Sequence, residues 1–152
     1  MRRQHWILAT AALSSLATIA IAQPRPDAAI RYRQGLMAAM GWNFDLLGAA
    51  VRHTGALDAK EFALRADRLA AFGPQIAEGF PKPSAADKGA VTDAAPEIWS
   101  DAAGFQAQVD AYIAESKKLA EAAKSGDEAQ MKAQFRKLSD TCRACHDKYK
   151  AD

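Results

Sequence analysis

Cysteine and histidine are scarce in this chain. Its 152 residues contain two cysteines, Cys142 and Cys145, and three histidines. A structural zinc site takes four thiolate or imidazole ligands. No second cysteine pair exists, and His53 is the one histidine besides His146 beyond the first 22 residues. A redox disulfide of this spacing usually opens a helix after a strand, and the sequence around the pair shows no strand pattern. A zinc site and a redox disulfide are therefore both disfavoured for Cys142 and Cys145.

The first residues have the pattern of an export signal. Arg2 and Arg3 precede an apolar, small-residue stretch from Trp6 to Ile21, and Ala20-Ile21-Ala22 fits the cleavage rule of secretory signal peptides. We predict a signal peptide at residues 1–22, cleavage after Ala22 and a periplasmic mature protein. A retained membrane anchor is the alternative, which the short apolar core disfavours.

A net charge is also missing from the mature chain. Removing 22 of the 152 residues leaves 130, enough for one domain with one core at residues 23–152. The removed segment carries two arginines and no acid, so Lys+Arg falls from 20 to 18 against 18 Asp+Glu, and the formal charge falls from +2 to 0. Nothing basic and clustered remains to indicate nucleic acid binding, and we expect no membrane attachment after cleavage.

What the chain does contain is Cys142-Arg143-Ala144-Cys145-His146, the attachment signature of c-type haem. On a helix, residues three and four apart project from one face, so the two thiols and the imidazole lie together. The thiols can then add across the two vinyl groups of one porphyrin edge, and the imidazole can bind the iron from the proximal side. We predict one covalent haem c, held by Cys142 and Cys145, with His146 as iron ligand.

Four amphipathic helices are predicted from apolar residues that recur at three- and four-residue steps. Their predicted bounds, in chain order, are Asp27 to Gly55, Asp58 to about Ile76, Glu97 or Trp99 to beyond Lys124, and Asp127 to the haem motif and Tyr149. Pro74 should kink or end the second helix near its last turns. The predicted apolar stripe of the first helix contains Ile30, Arg33, Gln34, Met37, Met40, Gly41, Phe44, Leu47, Gly48 and Val51. The haem motif thus falls on the last helix and faces the others.

Capping residues and connections predict how the helices pack. Asp58 and Asp127 are candidate N-caps, and Glu61 and Gln130 stand at the capping-box position three residues later. Gly79–Pro96 is a long loop by composition, whereas the other two connections are short. The predicted fold is all-α, an antiparallel up-down-up-down four-helix bundle that encloses the haem in its core.

Three segments carry a resemblance to a known family. They are Arg31-Tyr32-Arg33-Gln34 with Met37 and Met40, Pro96-Glu97-Ile98-Trp99-Ser100-Asp101 with Phe105, and Cys142-Arg143-Ala144-Cys145-His146-Asp147-Lys148-Tyr149. With them the mature chain is similar over its whole length to the class II c-type cytochromes, and specifically to cytochrome c′. That resemblance is far more specific than the Cys-x-x-Cys-His motif alone.

The resemblance implies further site residues. Arg33 and Gln34 would lie against the haem, with Arg33 near a propionate, because a guanidinium matches a carboxylate fork. Asp93 would lie near the haem edge. The alternative for Arg33 is a solvated helix charge. Three aromatic positions of the family are matched by Phe80, Trp99 and Phe105, which core packing alone would also explain.

Met37 decides between two kinds of protein within this fold. In cytochrome c′ an apolar side chain of the first helix shields a vacant sixth position of five-coordinate iron. In a low-spin sister class, a methionine at this place ligates the iron, and a lysine usually follows it. Ala38 follows Met37 here. We expect an occluding Met37, with ligation as the alternative.

The resemblance also implies a function. A crowded apolar distal pocket without a hydrogen-bond donor disfavours oxygen but accepts nitric oxide and carbon monoxide. We therefore expect a gas-binding haem protein, with plain electron transfer as the alternative if Met37 ligates. We see no acid–base pair that would indicate an enzyme. Family members usually form homodimers through the first two helices, and the redox partner is not specified by the sequence.

Overall fold

Helices account for nearly all of the fold. The computed structural model describes residues 25–52, 58–84 and 91–151. These ranges form the α-helices α1 (Pro26–Arg52), α2 (Ala59–Phe72), α3 (Glu97–Ser100), α4 (Ala102–Ser125) and α5 (Glu128–Tyr149). Short 3-10 turns at Gly73–Gln75, Ala77–Gly79 and Lys82–Ser84 follow α2. The predicted signal peptide, its cleavage site and the stop at Gly55 lie outside the described residues.

The four long helices α1, α2, α4 and α5 form the predicted four-helix bundle. α4 packs most extensively against α5 and α2, and α1 packs against α2. α1 and α5 share few contacts, and the stacked rings of Phe44 and Phe135, 4.7 Å apart, bridge them. Side chains from all four helices fill the core, among them Leu47, Phe62, Leu69, Leu119, Met131 and Leu138. Within the described ranges, no helix is long and apolar enough to cross a membrane.

The predicted N-caps of α2 and α5 are confirmed. Asp58 Oδ1 accepts hydrogen bonds from the backbone N–H groups of Lys60 and Glu61. Asp127 Oδ1 accepts from the backbone N–H of Gln130, whose side-chain amide donates back to Asp127 Oδ2. Each carboxylate thereby satisfies N–H groups that have no partner within the helix.

Of the kink or end that Pro74 predicts for the second helix, the structure shows an end. The α-helical pattern stops at Phe72, and Pro74 lies in the 3-10 turn that follows. Proline has no N–H and clashes with the preceding turn, so it cannot continue the helix.

The predicted third helix is wrong in one respect, because it is two helices. α3 ends at Ser100, Asp101 leaves the helical conformation with φ −121° and ψ 55°, and α4 begins at Ala102. The apolar pattern runs on through this point and gives no sign of the break. The carboxylate of Asp101 caps α4 through the N–H of Gly104 and also reaches α5, where Lys148 and Tyr149 donate to it.

Gly126 ends α4 in the left-handed conformation, with φ 69°. A Cβ in that conformation costs roughly 1–2 kcal/mol, so Gly126→Ala should lower the free energy of unfolding by about that much. Gly35→Ala is the matched control. An added Cβ there meets no atom within 4 Å, and the change should stabilise the helix by about 0.5–1 kcal/mol. Urea unfolding of both variants measures the difference, and equal stabilities would contradict this reading of the α4 terminus.

Candidate functional site

A cavity of about 460 Å³ opens between α1, α4, α5 and the segment before α3. All seven site residues predicted from the sequence line it: Arg33, Gln34, Met37, Asp93, Cys142, Cys145 and His146. They come from three separate parts of the chain. The bundle therefore brings together side chains that the sequence placed far apart.

The wall on α5 carries the three residues of the haem motif. Cys142 and Cys145 are partly buried and pack against the hydrophobic core, while His146 is exposed. Burial, and to a lesser degree the neighbouring Cys145, raises the pKa of the Cys142 thiol to about 11, and burial also raises the pKa of the Cys145 thiol. Both thiols are therefore neutral near pH 7, in apolar surroundings that suit thioether bonds.

Apolar side chains form most of the remaining wall. On α1 they are Met37, Met40 and Phe44, and from other elements they are Leu69, Ile76, Phe80, Ile98, Phe105 and Val109. Phe80 packs edge-on against Phe105, with ring centroids 5.0 Å apart. The predicted aromatic Trp99 lies behind Phe80 and donates its indole N–H to the carbonyl of Phe80. An apolar cavity of this kind excludes water and suits a flat organic cofactor.

Arg33 is a buried cation at the edge of the cavity, with 3% of its surface exposed. Its guanidinium donates to the carbonyl of Gly79, to Ser84 and to the hydroxyl of Thr92 at 2.8 Å. It also lies over the ring of Phe80 at 5.1 Å. The alternative that Arg33 is a solvated helix charge is therefore wrong.

The charge of Arg33 has no acidic counterpart in the part of the chain that the structure describes, where none of the ion pairs involves it. Burial lowers the pKa of the guanidinium, yet arginine stays charged in proteins. A buried charge is normally paired. Arg33 thus places a buried positive charge at the cavity wall.

Gln34 and Asp93 line the mouth of the cavity and are exposed. The side-chain amide of Gln34 donates to the carbonyl of Val91 at 2.9 Å. Asp93 forms an ion pair with Lys150 at 3.6 Å, and its carbonyl accepts from the N–H of Ala151. Gln34 therefore connects α1 to the segment before α3. Asp93, which lies in that segment, connects it to the end of α5.

Two tyrosines of the site were not assigned roles from the sequence. Tyr112 and Tyr149 both line the cavity and are about 5% exposed or less. The Tyr112 hydroxyl donates to the carbonyl of Leu69, and the Tyr149 hydroxyl donates to Asp101. The three- and four-residue spacing of apolar residues on α4 and α5 includes both tyrosines and indicates burial, but the partners of their hydroxyl groups on other elements could not be read from that spacing.

These features define a class of protein. A Cys-x-x-Cys-His motif on the last helix of a four-helix bundle, facing an apolar cavity, characterises the helical c-type cytochromes. The residues present fit a haem, since two thiols, an imidazole and a buried guanidinium without an ion pair in the described residues surround one cavity.

Comparison with known proteins gives the family. The family model described as Cytochrome C' matches residues 28–150. Cytochrome c' from Rubrivivax gelatinosus is 37% identical over 134 residues, which cover 83% of this chain and 96% of that protein. The chain belongs to the cytochrome c′ family, whose members bind haem c.

Solved structures agree with this assignment. Cytochrome c prime from Shewanella frigidimarina has a TM-score of 0.79 and 36% identity, over 84% of this chain and 98% of that chain. A nitric oxide complex of a cytochrome c prime mutant from Alcaligenes xylosoxidans has a TM-score of 0.76 and 30% identity, again over 84% and 98% of the two chains. This chain has the same fold as these two relatives over nearly the whole length of each relative.

Proposed function

We propose that the protein is an exported c-type haem protein that binds small gases, with five-coordinate high-spin iron. Cys142 and Cys145 hold one haem covalently, and His146 is the proximal ligand. One observation carries the proposal. The two cysteines and the histidine of the Cys-x-x-Cys-His motif line an apolar cavity whose α1 wall carries Met37. When bound, the haem supplies an iron centre that binds diatomic gases and exchanges single electrons.

The chain's own residues make the site selective. Met37, with the apolar side chains around it, occupies the wall from which a sixth ligand would approach. Among the hydrogen-bond donors that line the cavity, the Tyr112 hydroxyl is committed to the carbonyl of Leu69. Bound oxygen needs a polar partner, whereas nitric oxide and carbon monoxide do not. This supports binding of nitric oxide and carbon monoxide over oxygen, and the relative solved with nitric oxide bound is in agreement.

Arg33, Gln34 and Asp93 hold the haem periphery in this proposal. Arg33 balances the negative charge of a propionate, because it is a buried cation at the cavity wall without an ion pair among the described residues. Gln34 and Asp93 join the segment before α3 to α1 and to the end of α5. That arrangement fixes the cavity mouth around the cofactor's edge.

The second candidate is a low-spin electron carrier with Met37 as the sixth iron ligand. The observation that favours it is that the side chain of Met37 itself lines the cavity, and a thioether is an ordinary axial ligand in cytochromes c. The two candidates differ in spin state and in their response to carbon monoxide.

Export and assembly complete the proposal. The signal at residues 1–22 would deliver residues 23–152 to the periplasm, where redox partner proteins would exchange electrons with the haem.

Exposed apolar side chains on the first two long helices, namely Trp42 at 66% and Leu64 at 44% exposure, support the homodimer usual in the family. Sedimentation of the holoprotein measures the oligomeric state.

Gas titration tests the proposed function. The ferrous holoprotein should bind carbon monoxide and nitric oxide, with a change in the optical spectrum at each addition. Exposure to oxygen should give oxidation without a stable oxygen complex. A ferrous protein whose spectrum is unchanged by both carbon monoxide and nitric oxide would contradict gas binding.

A further inference from the structure

The carboxylate of Asp101 joins the beginning of α4 to the end of α5. Its Oδ1 accepts from the backbone N–H of Gly104 at 3.2 Å, which is the N-cap bond of α4. Its Oδ2 accepts from Tyr149 Oη at 2.8 Å and from Lys148 Nζ at 2.5 Å. Oδ1 therefore caps α4, and Oδ2 joins the beginning of α4 to α5.

The Tyr149 side of this contact is buried, whereas the Asp101 and Lys148 side chains are 41% and 56% exposed. Tyr149 is 4% exposed, and its ring packs edge-on against Phe105 with centroids 5.4 Å apart. A Cβ added at Gly104 would lie far inside contact distance of both Asp101 Oδ2 and Tyr149 Oη. Glycine at 104 thus permits the close approach of α4 to α5, and the break between α3 and α4 lets the Asp101 carboxylate face the last turn of α5.

The last turn of α5 is also the turn that follows His146. Lys150 donates its N–H to the His146 carbonyl, and the Tyr149 carbonyl accepts from the N–H of Ala95. His146 is the first residue of this turn, and its side chain lines the cavity. Its position depends on the backbone of this turn, which the Asp101–Tyr149 contact attaches to the rest of the bundle.

We propose that Asp101 is a positioning residue for the proximal histidine, acting through Tyr149. This inference rests on the proposed function, in which His146 binds the haem iron. The hydrogen bond from Tyr149 Oη to Asp101 Oδ2 sets the place of the final turn of α5 and so the approach of the imidazole to the iron. Lys148 reinforces the contact from the solvent side.

Asp101→Asn separates this role from helix capping. Asparagine keeps Oδ1, and it is as good an N-cap as aspartate, but it replaces Oδ2 with an amide that donates. Tyr149→Phe removes the hydrogen bond outright and keeps the ring, whereas in Asp101→Asn the Tyr149 hydroxyl can no longer donate and can only accept from the amide. Asp127→Asn is the matched control, because Asp127 caps α5 at its opposite end through Gln130 and does not line the cavity.

Two measurements on the holoprotein decide the question. Resonance Raman of the ferrous form reports the iron–histidine stretching band, which should move or broaden in Asp101→Asn and Tyr149→Phe and stay in place in Asp127→Asn. Hydrogen exchange reports the backbone without using iron. The amides of Ala95, Lys150 and Ala151 should exchange several-fold faster in the two test variants, and at the wild-type rate in Asp127→Asn.

The outcomes distinguish this inference from the function on which it rests. A wild-type protein without an iron–histidine band contradicts His146 ligation in a five-coordinate site, and hydrogen exchange still decides whether Asp101 holds the turn. A wild-type band that both test variants leave unchanged overturns the positioning role and leaves the proposed function standing. Unchanged hydrogen exchange at the amides of Ala95, Lys150 and Ala151 in both test variants would also overturn the positioning role. The same holds if Asp127→Asn changed the band and the exchange rates as much as the test variants do.

Discussion

A chain in which Cys142 and Cys145 are both changed to serine should lose its haem completely on acid–acetone extraction. A serine hydroxyl forms no thioether, so only coordination and packing would hold the group, and both fail in acid. The same change should loosen the bundle, since the haem would fill the cavity of about 460 Å³ that α1, α4 and α5 line. A single large-to-small core change already costs about 2–5 kcal/mol, so we expect a loss above that range.

The single variants and one neighbour serve as controls. Cys142→Ser and Cys145→Ser alone should each keep haem through one remaining bond, at reduced yield. Thr141→Val changes another residue of the same cavity wall, and it should retain haem at the wild-type level. A double variant that still held haem after extraction would show that the two thiols are not the attachment points.

Met37→Ala should speed carbon monoxide binding to the ferrous protein by about 10- to 100-fold. Met37 is partly buried against the core, and full burial of a methionine side chain is worth about 1.5–3 kcal/mol, which bounds the packing that an entering ligand must displace. Each 1.4 kcal/mol removed from the barrier gives about a tenfold faster rate. The iron should remain high-spin in the variant. Flash photolysis gives the association rate, and the optical spectrum gives the spin state.

Met131→Ala is the control for this change. Met131 is 1% exposed in the core and does not line the cavity, so its truncation should cost about 2–5 kcal/mol of stability without changing the rate of ligand binding. A low-spin wild type that becomes high-spin in Met37→Ala would show that Met37 is an iron ligand. Unchanged spectrum and rates would place Met37 away from the iron.

Local chemistry made much of the fold predictable from the sequence. Asp58 and Asp127 cap their helices as expected, and Pro74 ends α2. These signals depend on neighbours within a few residues. The break at Asp101 could not be predicted in the same way, because a helical pattern continues through it and the deciding partner, Tyr149, is on the last helix.

The predictable part of the site is the part that a helical register determines. The spacing of Cys142, Cys145 and His146 placed them on one face of α5, and the step from Arg33 to Met37 placed both on the cavity wall. The partners of Arg33 depend on how the long loop folds back onto α1, which no short-range pattern specifies.

The first helix shows a second limit of pattern reading. The predicted stripe contains Met37 and Phe44, which face the cavity, but Leu36 and Asn43 outside the stripe are buried as well. α1 packs on α2 with one side and borders the cavity with another, and a single stripe cannot represent both. A polar residue such as Asn43 also gives no sign of burial; its amide donates to the carbonyl of Ala39, and its oxygen accepts from Arg65.

The optical spectrum of the ferrous, unliganded wild-type protein tests the central claim most directly. With His146 as the single axial ligand and Met37 as an occluding side chain, the spectrum should be high-spin, with a broad visible band that carbon monoxide converts to that of a six-coordinate complex. A sharp low-spin α-band that carbon monoxide leaves unchanged would contradict a five-coordinate gas-binding site and would support Met37 as the sixth ligand.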